Sequence, residues 1–330
     1  MSGRLKRPLI SIVMPSYNDE PIILPYYEAI KKTLGDQKTF DYELVYVDDG
    51  STDGSQNTLE RLANEDPRVC FIELYRNFGQ QRALFAGMSH AVGDYVITLD
   101  GDYQYPPQVI IQLAEALRKG PELVSGIRKG RRDPLFSRIA SGIGNHIIRS
   151  ILKVNLQDFG SVKAFRRDLV DRILAMRHYF SDVYPAALSL RPKLAEIEVE
   201  HLGRSLGRSH WDIWMRIKLY LDIYVSYSDD QFTGIFRAGI LLIVAGIIGS
   251  AVMVLWKLLL GHQASLLQIV TGGYLISFTG GALIGWTLLM TFVTRIYKQN
   301  VLNEPFAIRR ILRRDDSARL TSAQKQDAGA

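Results

Sequence analysis

Two apolar stretches near the C-terminus constrain this chain more than any other feature of its sequence. Residues 238–256 and 263–294 carry no charged side chain. A helix of about 20 apolar residues is long enough to cross the hydrocarbon core of a bilayer, so both stretches qualify. The connector between them is short, which predicts an antiparallel transmembrane hairpin. A buried hairpin in a soluble protein is the alternative, and the length of the charge-free runs argues against it.

The flanks of this hairpin predict how it is oriented. Arg237 precedes it, the connector offers only His262, and a basic cluster follows: Arg295, Lys298, Arg309, Arg310, Arg313 and Arg314. Basic residues near membrane helices stay on the cytoplasmic side. We therefore expect an integral protein of the cytoplasmic (inner) membrane with both termini in the cytoplasm. Gly281 and Gly285 form a GxxxG pair, which favours a close helix contact at that point.

Up to about residue 200, short apolar runs alternate with longer amphipathic ones. The apolar runs predict strands over residues 9–15, 44–48, 69–74, 95–100 and 123–126. The amphipathic runs predict helices over residues 25–34, 55–64, 80–91 and 107–119. This alternation is typical of an α/β fold with a doubly wound, mostly parallel sheet. The one cysteine, Cys70, lies in a predicted strand and is expected to be buried.

Two further stretches, residues 136–152 and 211–227, mix aromatic and basic side chains with apolar ones. Such helices favour the headgroup layer of a membrane, and packing on the sheet with a solvated basic face is the alternative. We predict a cytoplasmic α/β domain over residues 1–209 and an interfacial helix over 210–233. After it we predict two transmembrane helices over residues 234–297, and then a basic, partly disordered tail over residues 298–330.

Polar motifs follow the first two predicted strands directly, where ligands bind in a doubly wound sheet. The first motif contains Pro15, Tyr17, Asn18 and Asp19. Its backbone groups and tyrosine ring suit a nucleotide base, although ordinary turns often have this composition. The second contains Asp48 and Asp49, which suit a base imide N–H and a ribose hydroxyl. A helix N-cap in this motif is the alternative.

A third motif places Asp100 and Asp102 one residue apart after the fourth strand. Carboxylates with this spacing can converge on one hard cation and leave room for phosphate ligands, which predicts Mg²⁺ or Mn²⁺. Such an ion would neutralise a leaving diphosphate as charge develops on it. A lone pair of this kind is a weak signal, and its alignment with the two earlier motifs strengthens it.

Together these motifs resemble the family 2 glycosyltransferases of the GT-A fold, in the branch that transfers sugars to polyprenyl phosphates. That branch includes bactoprenol glucosyltransferases and dolichyl-phosphate mannose synthases. The matching pieces follow in order along nearly the whole chain: residues 15–20, 48–55, 76–80, 100–107, 158–159, 165–167, 204–209 and 295–297. Family members usually read Asp-Ala-Asp in the third motif, and we expect the change to Gly101 to be tolerated.

The resemblance implies roles for particular residues. Donor-binding residues would be Pro15, Tyr17, Asn18, Asp19, Asp49, Asp100 and Gln104. The metal would lie at Asp100, Asp102 and Gln104, and the catalytic carboxylates would be Asp102 and Asp158. The acceptor and its phosphate would meet Arg128, Arg138, Arg204 and Ser209. For Asp158 the residues themselves leave an alternative, an ion pair with Arg166 or Arg167.

The implied function is inverting transfer of a hexose-type sugar from a nucleotide-sugar, which we expect to be UDP-linked, to polyprenyl phosphate. The resulting polyprenyl-monophosphate sugar would be used in modifying cell-envelope glycan or lipid. An acceptor phosphate is largely dianionic at neutral pH and needs little help from a general base. The expected partners are the donor, the acceptor and membrane lipid, without nucleic acid, and a homo-oligomer is left open.

Other functions fit parts of the sequence. A GDP-mannose-dependent polyprenyl-phosphate mannose synthase would use the same motifs. A processive polysaccharide synthase would need a Gln-x-x-Arg-Trp motif, which this chain lacks, and more membrane spans. A non-catalytic membrane-anchored scaffold is disfavoured because Asp100 and Asp102 are both present. Nucleic-acid binding is disfavoured because the basic patches flank predicted membrane elements.

Overall fold

The computed structural model of the chain describes residues 7–128, 154, 162–176, 182–202, 233–260, 265–300 and 306–313. The strands are β1 Leu9–Ser16, β2 Asp41–Asp48, β3 Val69–Leu74, β4 Tyr95–Thr98, β5 Leu123–Arg128, β6 Lys163–Arg166, β7 Leu194–Val199 and β8 Ile308–Arg313. The helices are α1 Glu20–Asp36, α2 Ser55–Glu65, α3 Gln80–His90, α4 Gln108–Arg118, α5 Arg167–Ala175, α6 Val183–Ser189, α7 Thr233–Leu260 and α8 Leu266–Asn300. Every strand and helix predicted between residues 9 and 126 is present, with the ends shifted by up to five residues. The predicted interfacial stretches over residues 136–152 and 211–227 lie outside the described residues.

The strands form one sheet in the order β7-β5-β6-β4-β1-β2-β3-β8. The central strands β4, β1, β2 and β3 are parallel to one another, and β5 is parallel to β7. Strands β6 and β8 run in the opposite direction. The predicted doubly wound, mostly parallel sheet is therefore confirmed. Because β4, β1 and β2 are adjacent and parallel, the three polar motifs that follow them meet at one edge.

Strand β1 shows why helices cover both faces of this sheet. Ile10, Ile12 and Met14 point into a core cluster that includes residues of α1, α2 and α4. Val13 points the other way, into a cluster with residues of α3, α5 and α6. All of these side chains are fully buried. A strand that is apolar on both faces is typical of a parallel sheet between two helical layers. Cys70, on β3, is buried as predicted.

Strand β8 lies where the sequence predicted only a basic tail. It pairs antiparallel with β3. Arg309 and Arg310 both donate to the carboxylate of Glu73, at 2.8 and 2.5 Å, and Glu73 is 2% exposed. Arg313 donates to Glu43 at 2.8 Å. These arginines, assigned from the sequence only to a positive flank, are the ion-pair partners of acids in the sheet.

The chain divides into two compact units. One comprises Met1–Tyr227 together with Asn303–Ala330, and the other is Ser228–Leu302. Strand β8 follows the second unit in sequence but belongs to the first. The chain therefore leaves the α/β unit once, forms the helical hairpin, and returns to the same sheet.

Helices α7 and α8 pack against each other through glycines placed seven residues apart on each helix: Gly239, Gly246, Gly273 and Gly280. A Cβ added to Gly246 would lie 2.6 Å from the carbonyl oxygen of Gly273. One added to Gly280 would lie 2.6 Å from the carbonyl oxygen of Gly239. The two backbones are therefore almost in contact at both levels, as small residues permit in membrane helices.

The predicted contact at Gly281 and Gly285 is wrong for this hairpin. A Cβ at either position would meet nothing within 4 Å. The GxxxG spacing is present, but these two glycines point away from α7. A spacing of four residues identifies one face of a helix without saying which face meets the partner.

The outer surface of the hairpin is apolar and exposed. The runs Arg237–Leu259 and Leu266–Thr294 are each long and apolar enough to cross a membrane. Only 11% of the most apolar window of each run is buried. A core helix of a soluble protein would be mostly covered, so this surface needs apolar surroundings that the α7–α8 contact does not provide.

Candidate active site

The loops after β1 and β2 are joined by hydrogen bonds at the carboxyl edge of the sheet. The Asn18 N–H donates to Ser51 Oγ at 2.9 Å, and Asn18 Oδ1 accepts from the Thr52 N–H at 2.8 Å. The Asp19 N–H donates to Ser55 Oγ at 3.1 Å. The first two motifs therefore form one continuous surface.

The side chains of the β1 motif are presented in different ways. Pro15 is buried within the strand, whereas the Tyr17 side chain is 45% exposed. The Asp19 carboxylate accepts from the Tyr17 N–H at 3.0 Å and from Ser16 Oγ at 3.3 Å, which closes the turn. The turn thus holds the Tyr17 ring at the surface, where it is available to stack on a planar ligand.

Two non-glycine residues of this edge have left-handed backbone conformations. Asn18 has a φ of 55° and Tyr103 a φ of 57°. Asparagine tolerates this region, whereas a tyrosine needs outside support. The ring of Tyr26, on α1, stacks on Tyr103 with centroids 4.3 Å apart. The Tyr26 hydroxyl also donates to the carbonyl oxygen of Tyr105 at 2.8 Å, so α1 holds the loop after β4 in place.

Asp49 holds a third loop against the site. Its two carboxylate oxygens accept from the backbone N–H groups of Phe78 and Gly79 at 2.7 and 2.8 Å. Burial raises the pKa of this carboxyl group, and the two hydrogen bonds oppose that rise. The contact to a nucleotide implied for Asp49 stays a prediction. In this structure the carboxylate positions the loop that leads into α3.

The paired acids after β4 are each engaged by an amide side chain. Asp100 Oδ1 accepts from Gln80 Nε2 at 2.6 Å. Asp102 Oδ2 accepts from the side-chain amide of Gln104, whose backbone N–H also lies 3.3 Å from Asp102 Oδ1. Each acid of the pair is thus held by a separate amide, and their convergence on one cation stays a prediction.

Gly101, between the paired acids, lies against the end of β1. A Cβ at this position would be 2.8 Å from the carbonyl oxygen of Pro15. A contact that short with backbone requires one of the two loops to move. Glycine therefore fits here sterically, as expected. Replacing Gly101 with alanine would create a close contact with the Pro15 carbonyl oxygen.

The two acidic motifs also influence each other electrostatically. The pKa of Asp19 is raised mainly by burial, and the negative charge of Asp102 raises it further. Hydrogen bonds from the Tyr17 N–H and the Ser16 hydroxyl act in the opposite direction. Negative charge from two strand ends thus accumulates at this edge, and a bound cation would relieve it.

The donor set fits a metal ion that is shared with a ligand. Among the described residues, no three acids, histidines or cysteines lie close enough together to hold a metal ion by themselves. Asp100 and Asp102 supply two carboxylates, which is what Mg²⁺ uses when phosphate oxygens complete its shell. Asp100 and Asp102 would therefore hold such an ion. The metal contact predicted for Gln104 stays a prediction, and in this structure its side-chain amide contacts Asp102 and His201 instead.

The structure adds three residues to the predicted site. Gln80 contacts Asp100, Tyr26 supports the loop after β4, and His201 lies 2.9 Å from the Gln104 side chain. Gln80 lies in one of the matching motifs, although no role was predicted for it. Tyr26 and His201 had no sequence signal, since each depends on a contact between distant parts of the chain.

Several predicted site residues lie outside the described residues. They are Asp158, Arg138, Arg204 and Ser209. Arg128 is the last residue of β5, so its backbone ends at the same edge of the sheet as the acidic loops. Arg166 and Arg167, proposed as alternative partners for Asp158, lie 3.6 and 3.5 Å from Asp168 and Asp171, respectively.

The region that carries this site matches a known family. The model of glycosyl transferase family 2 matches residues 11–174, which run from within β1 into α5 and include the loops after β1, β2 and β4.

Curated proteins match over almost the full chain. An undecaprenyl-phosphate 4-deoxy-4-formamido-L-arabinose transferase from Aeromonas hydrophila is 31% identical over 308 residues, which cover 92% of this chain and 94% of the relative. A protein of the same name from Pseudomonas fluorescens is 32% identical over 314 residues, with 94% and 91% covered.

Solved structures are more distant. A mannosyltransferase from Pyrobaculum calidifontis, solved with GDP-Man and Mn²⁺, is 17% identical with a TM-score of 0.48. The match covers 89% of this chain and 84% of that one. At this distance, no inference about the ligands of this chain rests on it.

Proposed function

The chain belongs to glycosyl transferase family 2, and from that membership we propose that it transfers a sugar from a nucleotide-sugar to a polyprenyl phosphate. Its Aeromonas and Pseudomonas relatives are named for transfer to undecaprenyl phosphate. Their matches cover 92% and 94% of this chain, so the proposal covers the hairpin as well as the α/β unit.

One observation in the site carries the proposal. The acids Asp19, Asp100 and Asp102 come from two neighbouring strand ends and lie at one edge, close enough for Asp102 to affect the pKa of Asp19. The exposed Tyr17 ring stands on the same β1 loop. A base-stacking ring beside carboxylates suits a nucleoside diphosphate bound with a divalent cation.

We propose that Asp100 and Asp102 hold Mg²⁺ or Mn²⁺ together with the donor diphosphate. The ion would neutralise charge on the departing nucleoside diphosphate. The role of the protein is then to orient: Gln80 and Gln104 fix the two carboxylates, and the β1 turn fixes the base. Positioning of this kind is a large part of what an enzyme contributes to group transfer.

The chemical step proposed is a single displacement. An oxygen of the acceptor phosphate forms a bond to the anomeric carbon, and the bond from that carbon to the diphosphate breaks. The acceptor is largely dianionic at neutral pH, so the step needs no strong base. Asp158 and the predicted arginines would orient the acceptor, and the configuration at the anomeric carbon would invert.

The identity of the donor is a finer proposal. We propose a UDP-linked sugar of the hexose type. The relatives are named for 4-deoxy-4-formamido-L-arabinose, so that sugar belongs in any test beside hexoses. GDP-mannose is the alternative donor to include.

We propose that the hairpin anchors the enzyme in the cytoplasmic membrane, with its site on the cytoplasmic face. The apolar exposed surface of α7 and α8 supports the anchoring. A polyprenyl chain lies in the bilayer with its phosphate at the headgroup layer. An anchored enzyme therefore meets this acceptor without extracting it from the membrane.

The test is transfer by the purified full-length protein in detergent. Undecaprenyl phosphate is incubated with Mn²⁺ and labelled UDP-hexoses, UDP-4-deoxy-4-formamido-L-arabinose and GDP-mannose, and lipid-linked product is identified by mass. We expect one donor to give product and Asp102→Asn to give none. The exposed Asp41, at the start of β2, provides the control Asp41→Asn, which should be fully active.

Two results would count against the proposal. Product from no donor, with the protein folded, would overturn transfer to polyprenyl phosphate. Full activity of Asp102→Asn would overturn the assignment of the metal site. Separately, an α-linked product from an α-linked donor would exclude the single displacement.

A further inference from the structure

His201 joins the end of β7 to the acidic loop after β4. Its Nε2 lies 2.9 Å from Gln104 Oε1. The Leu202 N–H donates to the backbone carbonyl oxygen of Gln104 at 2.8 Å, and the His201 ring stands edge-on to Tyr105 with centroids 5.2 Å apart. Two residues separated by 97 positions in the chain thus meet beside Asp102.

The orientation of the Gln104 amide follows from what its two neighbours can accept. An ionised carboxylate only accepts hydrogen bonds, so the NH₂ group of Gln104 must face Asp102. The amide oxygen must then face His201. That oxygen only accepts, so His201 must carry its proton on Nε2. The three side chains form one directed chain of donors, from His201 through Gln104 to Asp102.

We propose that His201 is a positioning residue that keeps the Gln104 amide directed at Asp102 and so fixes the carboxylate for the metal–diphosphate complex. The inference rests on the proposed function, because it assigns Asp102 to that complex. It adds a residue from outside the acidic motifs. It also ties the site to the segment after β7, in which Arg204 and Ser209 follow within a few residues.

A purely structural role for His201 predicts that loss of its imidazole lowers the melting temperature of the protein, and the contacts of this junction argue against that. The backbone of this junction is already held by the bond from Leu202, and Tyr26 holds the loop from the other side. Loss of the imidazole should therefore leave the fold intact. What it removes is the donor to Gln104 Oε1, which leaves the amide free to turn. Outer-shell partners of metal ligands typically account for about 10–100-fold in metal affinity.

The experiment measures binding rather than turnover. Mn²⁺-dependent binding of UDP and of GDP to the full-length protein in detergent is followed by calorimetry. His201→Leu should weaken binding of the preferred nucleotide by about 10-fold while its melting temperature stays near that of the parent. His201→Gln places an N–H at similar reach and should recover most of the loss.

A double-mutant cycle tests the route through Gln104. If His201 acts through the amide, Gln104→Leu and the double variant with His201→Leu should bind the nucleotide equally weakly. The matched control is His90→Leu. That histidine contacts the Ala86 carbonyl oxygen and lies at the end of α3 remote from the site, about 15 Å along the helix. Its nucleotide binding should be unchanged.

The outcomes separate the inference from the proposed function. Normal nucleotide affinity in His201→Leu, or additive losses in the cycle, would overturn the inference alone. A drop in melting temperature that His201→Gln does not reverse would also overturn it, in favour of a structural histidine. A parent protein that binds neither nucleotide with Mn²⁺ would overturn both. Binding without transfer to undecaprenyl phosphate would overturn only the proposed acceptor.

Discussion

At the scale of single residues, the absence of a side chain at Gly101 allows the loop after β4 to approach the end of β1 closely. The residue lies so close to the end of β1 that a methyl group would press on the Pro15 carbonyl oxygen, 2.8 Å away. The loop after β4 and the turn after β1 are therefore packed backbone to backbone. The same added Cβ would lie 3.7 Å from Asp19 Oδ2, so the acids of the two loops are brought close by this contact.

We expect Gly101→Ala to separate these loops and weaken donor binding. The overpacking should also lower the free energy of unfolding by about 1–3 kcal/mol. Donor Kd and denaturant unfolding measure the two effects. The control is Gly35→Ala in α1, where an added Cβ meets nothing within 4 Å. That change should stabilise the protein by about 0.5–1 kcal/mol. Unchanged donor affinity in Gly101→Ala would contradict the close contact.

The types of residue at the site could be predicted from the sequence, whereas their partners could not. Asp49, Asp100 and Asp102 stand out because acids directly after buried strands have few structural reasons to be there. Their hydrogen bonds reach across the fold, from Asp49 to Phe78 and from Asp100 to Gln80. Such contacts depend on how two loops pack, and no local pattern in one sequence encodes them.

At the scale of elements, β8 is the strand whose role is least visible in the sequence. Its residues alternate partly between apolar and basic, which also fits a basic flank of a membrane helix. The strand is specified by acids elsewhere, Glu43 and Glu73, which are nearly buried and need cationic partners. A sequence pattern shows the arginines, but it does not show that the acids are buried.

We expect Arg309→Ala with Arg310→Ala to destabilise the α/β unit by about 2–4 kcal/mol, because Glu73 would remain buried without a partner. The arginines are partly exposed, which places the effect below the upper end for buried pairs. Denaturant unfolding measures it. Adding Glu73→Gln should recover part of the loss, since the buried charge is then gone.

Arg118→Ala provides the control for this prediction. Arg118 pairs with Glu115 on the surface of α4, and its side chain is 57% exposed. Its removal should change the free energy of unfolding by less than about 0.5–1 kcal/mol. Equal effects of the β8 and α4 variants would show that β8 is not held by these pairs.

The α7–α8 hairpin is held by close approach of its backbones. We expect Gly246→Val to force the helices apart, because its Cβ would lie 2.6 Å from the Gly273 carbonyl oxygen. Thermal unfolding in detergent should show a clear loss, equivalent to about 1–3 kcal/mol. Gly281→Val adds the same side chain where nothing is within 4 Å, and the hairpin should tolerate it. Equal tolerance at both positions would argue against the packing.

At the scale of the whole molecule, the path of the chain constrains its topology. Strand β8 follows the hairpin and pairs with β3, which precedes it. Both connections of the hairpin therefore lead to the same folded unit. Since that unit cannot extend through a bilayer, a hairpin that crosses the membrane must cross it an even number of times.

We expect reporters at the two termini to lie on the same side of the membrane. Protease accessibility of terminal tags in sealed vesicles of known orientation measures this. A tag inserted beside His262, in the hairpin connector, should lie on the opposite side and serves as the positive control. Terminal tags on different sides would contradict the pairing of β8 with β3 in the membrane-bound protein.

The return of β8 to the sheet also sets an order of events during synthesis. Glu73 leaves the ribosome 237 residues before Arg310, and Glu43 leaves 270 residues before Arg313. Until then, the edge of β3 is open, and Glu73 on β3 and Glu43 on β2 lack their arginine partners. A nascent chain tends to fold from its N-terminus, so the sheet would wait incomplete while the hairpin is made. Completion of the sheet is thereby linked to delivery of the hairpin, and a chain cut short within the hairpin would retain an open strand edge on which another chain can pair.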